Sequence, residues 1–381
     1  MSSKKSSINL KLLQDPYNDD FIPYLLQVPK NIDPRDSASV FELLIGHLEE
    51  QVPKEIGVAI LLVIRVLLRN KIILNVFITN NFIFHIPFKN RYFTNEIFNI
   101  LNFLVQNCPE VFDEELTNKF KSILTRNPSK SLAILCSYAK QFDEINTENP
   151  WPMIDTLIQG SKYFSTDELL PQYSSVLLFL CSQFEDYRRG RSNYCWDIFQ
   201  KIVQSKSDVS SLIIGYQALT ALYDHYQDGE IPIESIKTHL RIHVDISDTI
   251  LAFLATITQN PDPNSKSLFR DYEILIPLLD LAKTNIKATL ILMAASSDIK
   301  VSTLLIGKSE WLLIPMPTFT DTLRLFLIIF NHDILRSKIT SVTEFSQFLK
   351  MILGMNSPGV ITIVCTIIRR MEVNQNTIDK L

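Results

Sequence analysis

Two histidines, His239 and His243, stand four residues apart, and Asp245 follows two positions on. On a helix that spacing puts both imidazoles on one face, where neutral ring nitrogens can bind a divalent metal such as zinc. A metal centre also needs a third ligand and partners that fix each ring, and neither can be identified here, so the sequence favours a polar helix edge over a metal site. His225, beside Asp224 and just before Gln227-Asp228-Gly229, reads as a histidine at a helix C-terminus, where its charge complements the helix dipole. His47, His85 and His332 have no partner that spacing can supply, and the pairs Asp19-Asp20 and Glu49-Glu50 read as exposed turn and helix-end carboxylates. There is no GxSxG elbow, no Gly-rich phosphate loop with Lys-Ser or Lys-Thr, no HExxH and no kinase HRD or DFG set. Arg270-Asp271 lacks the preceding histidine that a kinase catalytic loop carries. The expectation is a chain with no catalytic residues, no cofactor and no metal.

Charge and cysteine usage narrow the partners. The formal net charge is −4 and the pI about 5.9, a poor match for a nucleic-acid backbone. The densest basic spot, Arg188, Arg189 and Arg191 between Tyr187 and Tyr194, reads as a solvated loop between helices. Five cysteines, Cys108, Cys136, Cys181, Cys195 and Cys365, form no CxxC pair. Cys136 and Cys365 fall within apolar helical stripes and read as small core residues, and a reducing, cytoplasmic setting fits the set. The leading Met1-Ser2-Ser3-Lys4-Lys5 has charge but no apolar stretch behind it, so residues 1–8 are expected to be a disordered tail rather than a secretory signal. The longest apolar run, Ile56 to Leu68, contains Arg65 and is too short to cross a bilayer. It reads as a helix that must be covered on every side.

What positions these residues is a recurring pair of helices. Apolar side chains at a 3.6-residue beat open at Phe41, Phe120, Phe199, Leu275 and Phe348, in steps of 79, 79, 76 and 73 residues. Each opening leads past a polar turn into a second stripe. Phe120, Ile123 and Leu124 pass through Arg126-Asn127-Pro128-Ser129 to Leu132, Leu135 and Cys136, with Pro128 suited to a first helical position. Phe345, Phe348, Leu349 and Ile352 pass through Met355 to Gly359 and on to Val360, Ile363, Val364 and Ile367. Weaker pairs fit at Phe82, Leu157, Ile236 and Trp311, which makes roughly nine units. The spacing predicts helices and excludes strands. A hydrophobic content of 46% and a mean hydropathy of +0.11 fit helices buried on two faces, and only 9 glycines in 381 residues argue against mixed α/β nucleotide-binding folds.

These pairs carry a family likeness. Ile276-Pro277-Leu278-Leu279-Asp280-Leu281-Ala282, the turn Lys283-Thr284-Asn285 and the stretch Ile286 to Ser296 resemble the second and third helices of an armadillo repeat, and Phe348 to Met371 resembles another. HEAT repeats are similar. The resemblance implies an all-α, right-handed α-solenoid of about nine stacked helical units, armadillo/HEAT-like, whose last helix in each unit lines a groove for extended segments or partner helices. Such regions are also similar to helical extensions of protein kinases in some protists, although this chain holds no kinase domain.

Phase then selects candidate groove residues. Aligning the anchors puts Tyr138, Gln217, Met293 and Thr366 in one column and Gln141, Thr220, Ser296 and Arg369 in the next turn, off the main apolar stripe. Peptide-binding armadillo proteins carry asparagines there with tryptophans one turn away. Trp151, Trp196 and Trp311 instead lie near the starts of units, which argues against nuclear-signal recognition. The expected organisation is one repeat domain over residues 9–381 with a break at 259–267, where Asn260-Pro261-Asp262-Pro263-Asn264 is loop-forming. Its end face is capped by the segment Ile8 to Val28 or by a second copy. The expected function is a non-catalytic scaffold that binds a protein or peptide, with no nucleic acid and no transmembrane segment. The alternative is a regulatory subunit or arm of an enzyme such as a protein kinase.

Overall fold

Apolar residues at helical spacing do form helices in this protein. A computed structural model describes residues 8–50, 52–142, 151–205, 208–225, 229–242, 244–259, 267–355 and 357–370. Among the described residues the fold is all-α, with 22 α-helices and several short 3-10 turns packed against one another and no strand. The expected tail at 1–8 and break at 259–267 fall almost wholly outside the described residues. All five anchors sit buried in helices: Phe41 in Ser37–Glu49, Phe120 in Glu114–Ile123, Phe199 in Glu185–Gln204, Leu275 in Tyr272–Ala282 and Phe348 in Thr343–Leu353. Leu157 and Ile236 are buried in helices as well, whereas Phe82 and Trp311 are buried in the 3-10 turns Phe82–His85 and Ser309–Leu313.

Helix starts follow local chemistry. The side chains of Asn70, Asp113, Asn127, Asp208, Asp271, Asn285, Asp298 and Thr318 each accept a backbone N–H from the first turn of the helix that follows. Each such cap contributes about 1 kcal/mol by satisfying an otherwise orphaned donor. Pro128 takes the first helical position behind Asn127, as its spacing predicts. Pro358 likewise opens the helix Pro358–Arg370, so Pro358 and Gly359 belong to that helix and not to the turn before it.

The chain divides into two compact units, Met1–Leu180 and Cys181–Leu381. In the first, Lys54–Leu67 packs on Thr94–Asn107, which packs on Pro128–Lys140, which packs on Trp151–Gln159. Phe41, Phe77 and Phe82 form one ring cluster, with centroids 5.0, 5.5 and 6.1 Å apart. Two cations hold the segment that follows: Lys119 Nζ donates to the Phe84 carbonyl at 2.5 Å, and Arg126 donates to those of Phe88 at 2.8 Å and Lys89 at 3.1 Å. Near the start of the unit, buried His47 bonds through Nε2 to the Leu13 carbonyl at 2.7 Å, with Phe21 edge-on to its ring.

In the second unit, Glu185–Gln204 packs on Val209–Tyr223, followed in series by Ser247–Gln259, Ile286–Ala295 and Phe319–Phe330. A second set of contacts joins Ile233–Ile242 to Tyr272–Ala282, Ile299–Ile306 to Asp333–Ser341, and Thr343–Leu353 to Pro358–Arg370. Trp196, Tyr216, Tyr223 and Phe253 are buried together at its core.

The helix Lys54–Leu67 corrects one expectation. Gly57, Ile60, Leu61, Val63, Ile64 and Leu67 are buried, but Val66 is 38% exposed, because the neighbouring helices leave that side open. Gly57 marks the closest approach, since a Cβ there would run into the Phe93 ring. Gly57→Ala is therefore expected to destabilise the chain. Overpacking costs about 1–3 kcal/mol, and the better helix propensity of alanine returns about 1 kcal/mol. A lower urea midpoint, largely restored by adding Phe93→Leu, is the expected result. An unchanged midpoint would mean that the ring moves aside at no cost.

Candidate functional site

In the second unit the helices Ile233–Ile242 and Tyr272–Ala282 leave an open groove of about 610 Å³ between them. One end is set by charge. The Asp271 carboxylate caps its helix by accepting the Glu273 amide at 2.8 Å. From the facing helix, Lys237 Nζ lies 2.7 Å from Glu234, 2.8 Å from Asp271 and 3.5 Å from Glu273, and Arg241 one turn on reaches Glu273 at 3.2 Å. The hydrogen bond to Lys237 holds the Asp271 carboxyl below its usual range, and the bonds to Asp271 and Glu234 push the Lys237 ammonium up. The Lys237 side chain is only 14% exposed, against 85% for Glu234 and 51% for Glu273, so water meets the carboxylates before it meets the ammonium.

The floor is apolar and the rim mixed. Leu240, Ile276 and Leu281 line the groove, with Tyr272 45% exposed beside them. Asp280 is 65% exposed and pairs with Lys283 at 2.7 Å. Pro277 sits inside the helix and also lines the groove. Having no N–H, it withholds from the Glu273 carbonyl, one turn earlier, the donor that a helix normally supplies. The adjacent helix Ile286–Ala295 leaves Ile286 and Leu290 exposed at 46% and 56%.

Behind the groove, His239 turns inward. Its Nδ1 lies 2.9 Å from the Tyr216 hydroxyl, with the two rings edge to face at 5.8 Å and 88°. Burial pushes the Tyr216 phenol up, so the hydroxyl stays protonated and shares a hydrogen bond with Nδ1. That nitrogen is committed to the core. His243 lies outside the described residues, and Asp245 is exposed in the turn Val244–Ile246. Among the described residues no group of three His, Cys, Asp or Glu side chains could hold a metal ion.

The columns picked from phase do not form one surface. Tyr138 is fully buried, edge-on to Phe112, and Ser296 is fully buried with its hydroxyl donating to the Leu292 carbonyl at 2.6 Å. Both lie inside because the buried arc of their helices extends past the apolar residues used to set the phase. Gln141 is half-buried and donates to the Val105 carbonyl at 3.0 Å, which makes it a tie between helices. Met293 and Thr220 are half-buried, with Thr220 donating to the Tyr216 carbonyl at 2.7 Å. Gln217, Thr366 and Arg369 are exposed.

Two further expectations are corrected. Arg188, Arg189 and Arg191 are on the helix Glu185–Gln204 and not in a loop. Glu185 and Asp186 suit its first turn, Glu185 pairs with Arg189 one turn on, and Arg191 lies over the Tyr187 ring at 5.5 Å. Cys136 is buried, but Cys365 is exposed on the outer side of Pro358–Arg370. The groove residues Arg241, Tyr272 and Glu273 were not singled out by sequence, although Pro277 inside an apolar helical stripe was a visible signal.

No family model matches the chain, and none of the curated proteins matches it. Among solved structures, the chain is similar to an engineered protein at 12% identity with a TM-score of 0.46, over 94% of this chain and 96% of the other. That likeness is too weak to carry an argument. Among the described residues no single helix is long and apolar enough to cross a membrane.

Two measurements check the site. Tyr216→Phe is expected to lower stability by about 1 kcal/mol through loss of the bond to His239, and an unchanged unfolding midpoint would remove that bond from the core. The depressed Asp271 carboxyl means that its bond to Lys237 stabilises above the ordinary carboxylate range and is lost as pH falls through that range and below. Wild-type and Lys237→Met chains should therefore differ in midpoint at pH 7 and converge near about pH 2. A gap that persists in acid would make the tie non-electrostatic.

Proposed function

We propose that this chain is a non-catalytic interaction scaffold, an array of armadillo- or HEAT-like helical units whose groove holds a segment of a partner protein. The repeat reading is supported by the sequence separation of its longer-range side-chain bonds. Gln141 to Val105 spans 36 residues, Gln172 to Cys136 spans 36, Lys119 to Phe84 spans 35 and Arg126 to Phe88 spans 38. Trp196 to Glu230 spans 34, Asn285 to Asp248 spans 37, His332 to Ser296 spans 36 and Ser309 to Glu344 spans 35. In a stack of two-helix units each residue meets groups about one unit away, so bonds gather at one unit's length. A bundle closed by loops of varied length has no reason to favour that separation.

The observation that carries the functional reading is the groove itself. It is open and lies between the helices Ile233–Ile242 and Tyr272–Ala282, with an apolar floor and a rim of charged side chains, the composition of a protein-binding surface. The partner-binding role is tested by quantitative affinity purification with the full chain and with a Tyr272→Ala, Thr284→Arg variant that alters the groove at exposed positions. At least one protein recovered with the wild type should fall tenfold or more with the variant, whose thermal unfolding should be unchanged. Equal recovery of every protein by both chains would overturn a role for this groove.

A further inference from the structure

We infer that the partner segment is basic, and that it presents an arginine between apolar residues to the groove between Ile233–Ile242 and Tyr272–Ala282. This inference rests on the reading of the chain as a partner-binding scaffold, and the groove's own chemistry gives the partner's charge. Glu273, Pro277 and Asp280 stand at i, i+4 and i+7 on one face of their helix, and all three line the groove. They offer at Asp280 a carboxylate that is exposed but shared with the exposed Lys283 and, at Glu273, a backbone carbonyl from which Pro277 withholds the helical donor. The exposed ring of Tyr272 stands at the N-terminal end of the same helix.

A guanidinium matches that set. It is planar, carries five N–H donors and accepts none, and it stacks on aromatic faces while its donors fork between acceptors. A lysine ammonium has three donors and no plane to lay on Tyr272. The surrounding charge favours a cation too. The two helices and the following turn carry Glu234, Asp271, Glu273 and Asp280 against Lys237, Arg241 and Lys283, and Lys237 is shielded from water at 14% exposure. The balance is one negative charge, and among the lining residues it is Glu273 and Asp280 against Arg241. Leu240, Ile276 and Leu281 provide an apolar floor, which calls for apolar neighbours on either side of the arginine. A polyanion such as nucleic acid is disfavoured by the same carboxylates.

The test uses the full chain and phage-displayed random dodecapeptides as the probe, with enriched sequences remade as fluorescent peptides and titrated. Peptides with an arginine flanked by apolar residues are expected. Replacing that arginine by citrulline, which keeps the shape and removes the charge, should weaken binding about tenfold, as should Asp280→Lys. Tyr272→Ala should weaken it about threefold. Asp280 and Tyr272 are exposed, and unchanged thermal unfolding of both variants serves as the control for folding. Peptides that lose binding on Tyr272→Ala yet tolerate citrulline would overturn the arginine assignment and leave the groove as a protein-binding site. If no enriched peptide responds to either groove variant, this inference and the proposed function of the groove both fall. Sedimentation of the wild type as a dimer that Asp280→Lys dissociates would assign the groove to a second copy and overturn the inference as well.

Discussion

A helix of ten to fifteen residues is barely stable alone in water, so its apolar stripe must find cover in a neighbour. Most of the helices here are short, and Val209–Tyr223, 15 residues long, carries no charged side chain. In each unit the cover comes from helices near in sequence: Thr94–Asn107 lies against Lys54–Leu67 and Pro128–Lys140, and Ser247–Gln259 against Val209–Tyr223 and Ile286–Ala295. Burial against more than one neighbouring helix fits a mean hydropathy above zero in a chain whose helices still expose charged ends. It also explains why glycine appears at a contact such as Gly57, where the Phe93 ring occupies the place of a side chain.

Several polar groups at helix ends meet a partner 34 to 38 residues away in sequence. Segments that leave a helix present carbonyls without helical donors, and these must be satisfied. Lys119 and Arg126 serve Phe84, Phe88 and Lys89 in this way, and the Trp196 indole serves the Glu230 carbonyl at 3.2 Å. His332 reaches the Ser296 carbonyl at 2.9 Å by the same logic. These bonds fix how one segment registers on another, a task that non-directional apolar burial cannot perform. The histidines for which the sequence offered no partner, His47, His85 and His332, all find one across such a junction.

What was legible in the sequence was whatever depends on local spacing. The anchors Phe41, Phe120, Phe199, Leu275 and Phe348, the absence of strands among the described residues and the helix start at Pro128 all follow from apolar period and capping chemistry. What depended on the width of the buried arc was not legible. Tyr138 and Ser296 occupy the same phase as exposed Thr366 and Arg369, and they differ only in whether another helix lies beyond them. Helix Pro358–Arg370 is covered on fewer sides than Pro128–Lys140, so Cys365 and Cys136 share a pattern yet differ in exposure. Arg188 to Arg191 misled for a different reason: a run of like charges suggests a loop, but its repulsion is relieved by Glu185 one turn before and by the Tyr187 ring. The groove was hidden because its charged members come from two helices, with Arg241 and Glu273 32 residues apart, and no local pattern joins them.

Pro277 links this logic to the site. A proline inside a helix costs about 3 kcal/mol relative to alanine, partly through the carbonyl it strands. The cost falls if that carbonyl faces water or a ligand, since burial is what makes an unpaired acceptor expensive. Pro277 lines an open groove while Leu275, Leu278 and Leu279 carry the buried side of the same helix. The proline is therefore tolerable on this face and would not be on the other. The charge around it points the same way. Lys237 is drawn in among Asp271, Glu234 and Glu273 and so neutralises the end of the groove from beneath, while Asp280 stays exposed at the rim.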